Sequence, residues 1–309
     1  MRTFSITILL ILLLTSCQTH DIRNSAPSQP TSTVESKPKQ PNKQNSKNEV
    51  ADIHAAETPR AGTSGKQKAN QNLPQAAIAG TAELILDHGF FQISYSEKNR
   101  LPNWVSYHLR ADNLKNKVAK RRNRFFADPQ LLQIKKAFAS PDDFDGDTYD
   151  RGHMAPSDDF VWDQKANDAT FVMTNMAPQE RALNRGSWKK LELAVRKWAC
   201  TEGELRVVTG PILSGTMLRM SSQVPVPQKF FKVILDETPP RKAIGFIYKQ
   251  EDGKASMAAQ AMNLATIEKQ TGYKFFVDLP QDERKTLEIA YNLQDWVETD
   301  CLPGRKKRH

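Results

Sequence analysis

The sequence predicts a single α+β domain over residues 76–303, built on a largely antiparallel central sheet flanked by helices. Short apolar, β-rich runs bounded by Gly and Pro recur along the chain, as strands joined by turns require. Helical spacing appears between them, most plainly where Trp188, Leu191, Val195 and Trp198 fall on one stripe. The two kinds of segment mix without the regular strand–helix alternation of a parallel sheet.

The chain opens on material that is not part of that domain. Arg2 precedes an apolar run from Phe4 to Leu14, so residues 1–16 read as an export signal. The run is too short to cross a bilayer, which takes about 20 residues. Leu14-Thr15-Ser16-Cys17 resembles a bacterial lipoprotein cleavage box, in which Cys17 carries the lipid and becomes the new N-terminus. The alternative is an ordinary secretory signal with Cys17 incidental. Gln18, where Asp is absent, points an anchored protein to the outer membrane if the cell is Gram-negative. Residues 17–75 are rich in Ser, Pro, Gln and Lys and show no apolar period. Such a stretch cannot bury enough apolar surface to offset its ordering entropy, so a disordered tether is expected.

Strands are expected at 83–86, 90–95 and 104–109, and a helix at 130–138 through Leu131, Ile134 and Phe138. Further strands are expected at 206–209, 230–235 and 243–248, then helices at 263–270 and 281–297. Of the three cysteines, Cys200 and Cys301 remain once Cys17 is lipidated. In an oxidising compartment they can form a disulfide tying the C-terminal segment back to the middle of the domain; two buried thiols are the alternative.

The segment Asp150-Arg151-Gly152-His153-Met154-Ala155-Pro156 places a guanidinium two residues from an imidazole. If a strand runs into this turn, Arg151 and His153 share a face, and Gly152 lets the backbone turn or approach a ligand. Phosphodiester hydrolysis needs such a pair: a base working near neutral pH and a fork of donors for phosphate oxygens. Alone, His153 would read as a hydrogen-bonded structural histidine. Asn175-Met176-Ala177-Pro178-Gln179 follows an apolar run, and Asn184-Arg185-Gly186-Ser187-Trp188 then opens a helix to about Cys200. Asn184, Glu192 and Arg196 lie on the i+4 row bordering its apolar stripe and can face one cleft. The plainer reading is a capping Asn184 and a surface Glu192–Arg196 pair.

Together these segments resemble the DNA/RNA non-specific endonuclease family, the Serratia-type branch of the ββα-metal nucleases. The likeness extends through Val207–Pro211, Val224–Pro227, Phe230–Leu235 and Glu268–Phe276. It implies His153 as general base and Asn184 as the one protein ligand of Mg²⁺, with Mn²⁺ the other candidate. It implies Arg151 at the phosphate, Glu192 holding water on the metal, and Asn175 and Arg196 in support. Products would carry 5′ phosphates. Arg121-Arg122-Asn123-Arg124 before Asp128-Pro129 resembles the family's arginine-containing run, in which one arginine contacts substrate; the resemblance leaves open which of the three it is, with Arg121 the first choice.

With 44 Lys+Arg against 35 Asp+Glu, the net charge of +9 favours polyanionic partners. The expectation is an exported, lipid-anchored nuclease acting on DNA, RNA or both. A catalytically silent capture lipoprotein on the same fold is the competitor. Asp142, Asp143, Asp145 and Asp147 do not keep calcium-loop register and read as a solvated acidic turn. Residues 304–309 form a basic tail.

Overall fold

Residues 84–302 are described by a computed structural model; the expected signal peptide, Cys17, the tether and the basic tail lie outside them. In chain order the strands are β1 (Leu84–Asp87), β2 (Gln92–Ser96), β3 (Leu101–Arg110), β4 (Tyr149–His153), β5 (Met176–Glu180), β6 (Glu204–Pro211), β7 (Leu218–Arg219), β8 (Pro225–Val226), β9 (Lys229–Asp236), β10 (Ala243–Lys249) and β11 (Ala261–Met262). The helices are α1 (Ala111–Lys115), α2 (Pro129–Gln133), α3 (Gln164–Ala169), α4 (Arg181–Arg185), α5 (Ser187–Glu202), α6 (Met257–Gln260), α7 (Leu264–Thr271) and α8 (Gln281–Ile289).

Seven strands pair in the order β1-β2-β3-β6-β9-β10-β11, every neighbour antiparallel. β4 pairs with β5, and β7 with β8, outside that sheet. An antiparallel sheet commonly leaves one face wet. Here both faces are covered, which explains why Phe230–Leu235 is apolar almost without a break. Phe230 and Ile234 point into the core under α5, with Tyr107, Leu205, Val207 and Phe246. Phe231, Val233 and Leu235 point into the opposite core, closed by Leu264 and Ile267 of α7 and Leu287 of α8. On α5 the expected stripe is buried as drawn: Trp188, Leu191, Val195 and Trp198 are each at most 1 % exposed. Each such side chain stabilises by roughly 1.5–3 kcal/mol.

Two helices are shorter than their spacing predicts. α2 starts where Asp128 caps Gln130 N at 2.9 Å and Pro129 presets the first turn. It stops at Gln133, and Lys135 turns to φ 55°. Leu131 is buried but Ile134 is exposed, so the expected stripe has no core to face and a short helix does not propagate. α8 likewise ends at Ile289, because only Leu287 of it is buried. A separate 3₁₀ turn, Leu293–Asp295, follows under an Asn292 cap. Cys200 on α5 is bonded to Cys301 with their Cα atoms 5.6 Å apart. The bridge fixes the C-terminal segment on α5, where the Trp296 ring lies 5.2 Å from Trp198.

Candidate functional site

β4, the α4–α5 helix pair and the segments around Asp145 and Ser157 wall a cleft of about 730 Å³. β4 is a strand, as the sharing of a face by Arg151 and His153 requires: Tyr149, Arg151 and His153 line the cleft, and Asp150 reaches it as well. Gly152 serves a different purpose from the one its sequence position suggested. A Cβ there would collide with the Gln179 side chain on the paired strand β5, so this glycine packs the strand pair rather than admitting a ligand.

His153 is 8 % exposed, edge-on to Phe171 at 4.9 Å and tilted against Phe125 at 5.8 Å. Asn175 holds the backbone beyond it. Its carbonyl accepts from Met154 N at 3.0 Å, its Oδ1 from Ala155 N at 2.9 Å, and its Nδ2 donates to Ala155 O and Thr170 O. With its amide so occupied and fully buried, Asn175 supports the site and has nothing left for a ligand. Burial first, and the Arg121 guanidinium second, push the imidazole down to about 3, against a hydrogen bond with the Arg151 backbone. The ring is therefore neutral at physiological pH. Its Nε2 is buried and has no hydrogen-bond partner in the protein.

Asn184 does not open the long helix. It sits in the last turn of the five-residue α4, and the chain breaks at Gly186 before α5 begins. A Cβ on Gly186 would collide with the carbonyl oxygens of Ala182 and Gly253, so only glycine allows this joint. The break moves Asn184 off the Glu192–Arg196 row, yet Asn184 and Glu192 still line the same cleft. Asn184 Nδ2 donates to Asp150 Oδ2 at 2.9 Å, which fixes the amide and leaves Oδ1 to accept. Burial raises the Asp150 carboxyl, but hydrogen bonds from Arg185 and Asn184, with the charge of Arg181, outweigh it and hold the carboxyl below its usual range.

A hard divalent cation suits this donor set. Mg²⁺ keeps most of its water and takes few protein oxygens, and one oriented amide oxygen in a cleft also lined by Asp150 and Glu192 meets that need. Among the described residues no three His, Cys, Asp or Glu side chains are placed to hold a metal ion together, as a zinc cage requires.

Arg151 lines the cleft, but its Nη2 donates to Asp145 Oδ1 at 2.6 Å and to Pro141 O at 2.8 Å. The acidic turn is thus not merely solvated, because Asp145 holds this guanidinium. Of the three neighbouring arginines, Arg121 lines the cleft, donating to Ser157 Oγ and to Asn123 Oδ1 at 2.6 Å. Arg122 is turned to Asp168 at 2.9 Å, and Arg124 is not among the lining residues. Arg196 lies beneath the cleft, its Nη1 donating to buried Asp159 at 2.7 Å, and Tyr107 Oη donates to the same carboxylate at 2.7 Å.

The sequence reading gave Asp150, Asp159 and Lys232 no role. The signal for Lys232 was present: a lone cation inside the apolar run Phe230–Leu235. Asp150 stands in the motif itself, and its adjacency to Arg151 could have marked it. Asp159 carried no such mark.

Comparison with known proteins agrees with this geometry. The family model for DNA/RNA non-specific endonucleases matches residues 70–282. The chain is 32% identical over 224 residues to Nuclease C1 of Cunninghamella echinulata var. echinulata, covering 67% of this chain and 88% of that protein. It is 25% identical over 290 residues to the mitochondrial nuclease of Saccharomyces cerevisiae, covering 79% and 88%. Among solved structures, a chain of the EndoG/EndoGI complex superposes with a TM-score of 0.60 at 26% identity, covering 66% of this chain and 89% of that one. The chain belongs to the DNA/RNA non-specific endonuclease family, and is a nuclease on the ββα-metal fold.

Proposed function

We propose that this cleft hydrolyses phosphodiester bonds of DNA, RNA or both by attack of water, with His153 as the general base. The observation that carries the reading is the state of His153: neutral, buried, clamped by its neighbours, and with a ring nitrogen unspent. As water attacks phosphorus, its proton passes to the imidazole. A phosphate beside the ring raises its affinity for that proton. Arg151 and Arg121 hold the non-bridging oxygens, Arg151 exchanging Asp145 for phosphate. Asn184 Oδ1 is the protein oxygen that would hold the divalent cation, Mg²⁺ or Mn²⁺. When bound, the cation supplies positive charge against the phosphate and the departing 3′ oxygen. Glu192 accepts from water in the cleft and keeps it oriented, Arg196 anchors the floor through Asp159, and the product retains a 5′ phosphate.

We propose further that the protein is exported and lipid-anchored to the envelope through Cys17, with residues 17–75 as tether and the basic tail adding phosphate attraction. The Cys200–Cys301 bond supports the export reading, because disulfides persist in oxidising compartments. Cys17→Ser should abolish incorporation of labelled fatty acid; unchanged labelling would sink the anchor.

The catalytic reading is tested on supercoiled plasmid and on RNA, with Mg²⁺, with EDTA, and with Asn184→Ala. Cutting should vanish in EDTA and return with Mg²⁺, and Asn184→Ala should need far more metal for the same rate. Cutting indifferent to EDTA, or an Asn184→Ala enzyme with the wild-type metal requirement, would refute the assignment.

A further inference from the structure

We infer that Lys232 is a positioning residue of the nuclease reaction: its ammonium, sealed under the cleft, favours the anionic form of Glu192 that orients water. The inference rests on the role given to Glu192 above.

Alternation along β9 sends Phe230, Lys232 and Ile234 toward α5. Lys232 is 1 % exposed, its Nζ lies 5.0 Å over the Trp188 ring, and that nitrogen has no hydrogen-bond partner. Trp188, Glu192 and Arg196 follow one another at i+4 along α5, and Lys232 and Glu192 lie near enough for the charge of each to act on the other. A strand cation buried this deeply must be compensated, since an isolated buried charge is very costly. The charged neighbourhood is small. Facing Glu192 are Lys232 from β9, Arg196 from α5, Asp158 and Asp159 from the 3₁₀ turn Ser157–Phe160, and Tyr107 from β3. Arg196 and Asp159 satisfy each other directly, with Tyr107 on the same carboxylate. That leaves Lys232 as the buried charge with no hydrogen-bond partner and Glu192 as the carboxylate open to the cleft. Burial alone pushes Glu192 up and Lys232 down, and the charge of each opposes the shift in the other. With the ammonium in place the Glu192 carboxyl is already pushed up to about 7 by burial; without it, burial and the two aspartates act against Arg196 alone, and the carboxyl is mostly protonated at neutral pH.

A lysine that merely filled the core above Trp188 would be replaceable by methionine with no change in titration. The test is Lys232→Met in the full protein. The Glu192 carboxyl is followed by carbon-13 NMR against pH, assigned with Glu192→Gln, and kcat/KM for DNA cleavage is followed over the same range. The carboxyl midpoint should rise by about one pH unit or more, which is about tenfold in the anionic fraction where Glu192 is mostly protonated. The acidic limb of kcat/KM should move with it, activity at pH 7 should fall, and alkaline pH should restore it. Lys232→Arg should keep the wild-type limb. An unchanged midpoint and limb in Lys232→Met overturns the proposal. Should Lys232→Met fail to fold, the double variant Lys232→Met/Glu192→Gln decides. Recovery of folding shows that the two charges compensate each other, and failure to recover assigns Lys232 to packing alone. A Glu192→Gln enzyme with wild-type kcat/KM would instead remove Glu192 from the mechanism, while the carboxyl titration would still report whether Lys232 holds the anion.

Discussion

The two faces of the central sheet both bury charge, and they treat it differently. On the face covered by α7 and α8, charge is spent in contacts. Arg206 donates to Glu237 at 2.5 Å and to both oxygens of Asp278 at 2.8 Å. Glu268 accepts from Lys274, Arg284 and Phe275 N. On the face covered by α5, Arg196 and Asp159 are paired, but Lys232 Nζ and His153 Nε2 have no hydrogen-bond partner. A buried polar group without a partner costs stability, and Trp104 Nε1 on the α7–α8 face carries that cost too; what sets the α5 face apart is that its unpartnered atoms include a buried ammonium and the imidazole that lines the cleft. The Glu268 network also explains the run from Glu268 to Phe276: it joins α7 to α8 and lies in the far core, away from the cleft.

Substitutions on the two faces should therefore separate turnover from stability. His153→Ala should lower turnover by about two to four orders of magnitude while leaving DNA binding and the melting temperature close to wild type. Arg206→Met should do the reverse. It strands Glu237 and Asp278, which are not fully buried, so the loss should be below the 3–5 kcal/mol typical of a broken buried pair, with cleavage per folded molecule unchanged. Arg196→Met, beneath the cleft, should do both, because it leaves Asp159 buried and uncompensated. Denaturant melts beside kcat would check all three; an Arg206→Met enzyme that is stable but slow would break the comparison. Cys301→Ser releases a closure spanning 101 residues and should cost about 2–5 kcal/mol, read as a lower denaturation midpoint.

The last expected effect is a pH dependence of stability. In the folded protein His153 stays neutral down to about pH 3, whereas unfolded it protonates near 6.5. Between those values the unfolded chain binds more protons, so the histidine weakens the fold progressively as pH falls below about 6.5. Melting of wild type against His153→Asn should show that component in the wild type and lack it in the variant; parallel curves would contradict the buried, neutral imidazole.

What the sequence made legible follows from how local each signal was. The strands and the α5 stripe were readable because burial of a regular element leaves a periodic trace. The His153 and Asn184 motifs were readable because their residue types and spacing match a family. The ends of α2 and α8 were not, since they depend on whether a distant core faces Ile134 or the residues after Ile289. Gly186 was read as part of a helix start, when it breaks the helix because the Gly253 backbone presses on it. The choice of Arg121 over Arg122 rested on where Ser157 and Asp168 lie in space, which no spacing reveals. Lys232 stood out as the one cation of an apolar strand, but which face it points to was not legible, because both faces of that strand are buried.

The most direct test of the central claim is the single-turnover rate at which His153→Ala cleaves DNA already bound in Mg²⁺, with free imidazole titrated in. The account predicts slow cutting that imidazole accelerates in proportion to its neutral form. Cutting at the wild-type rate with no imidazole present would contradict it.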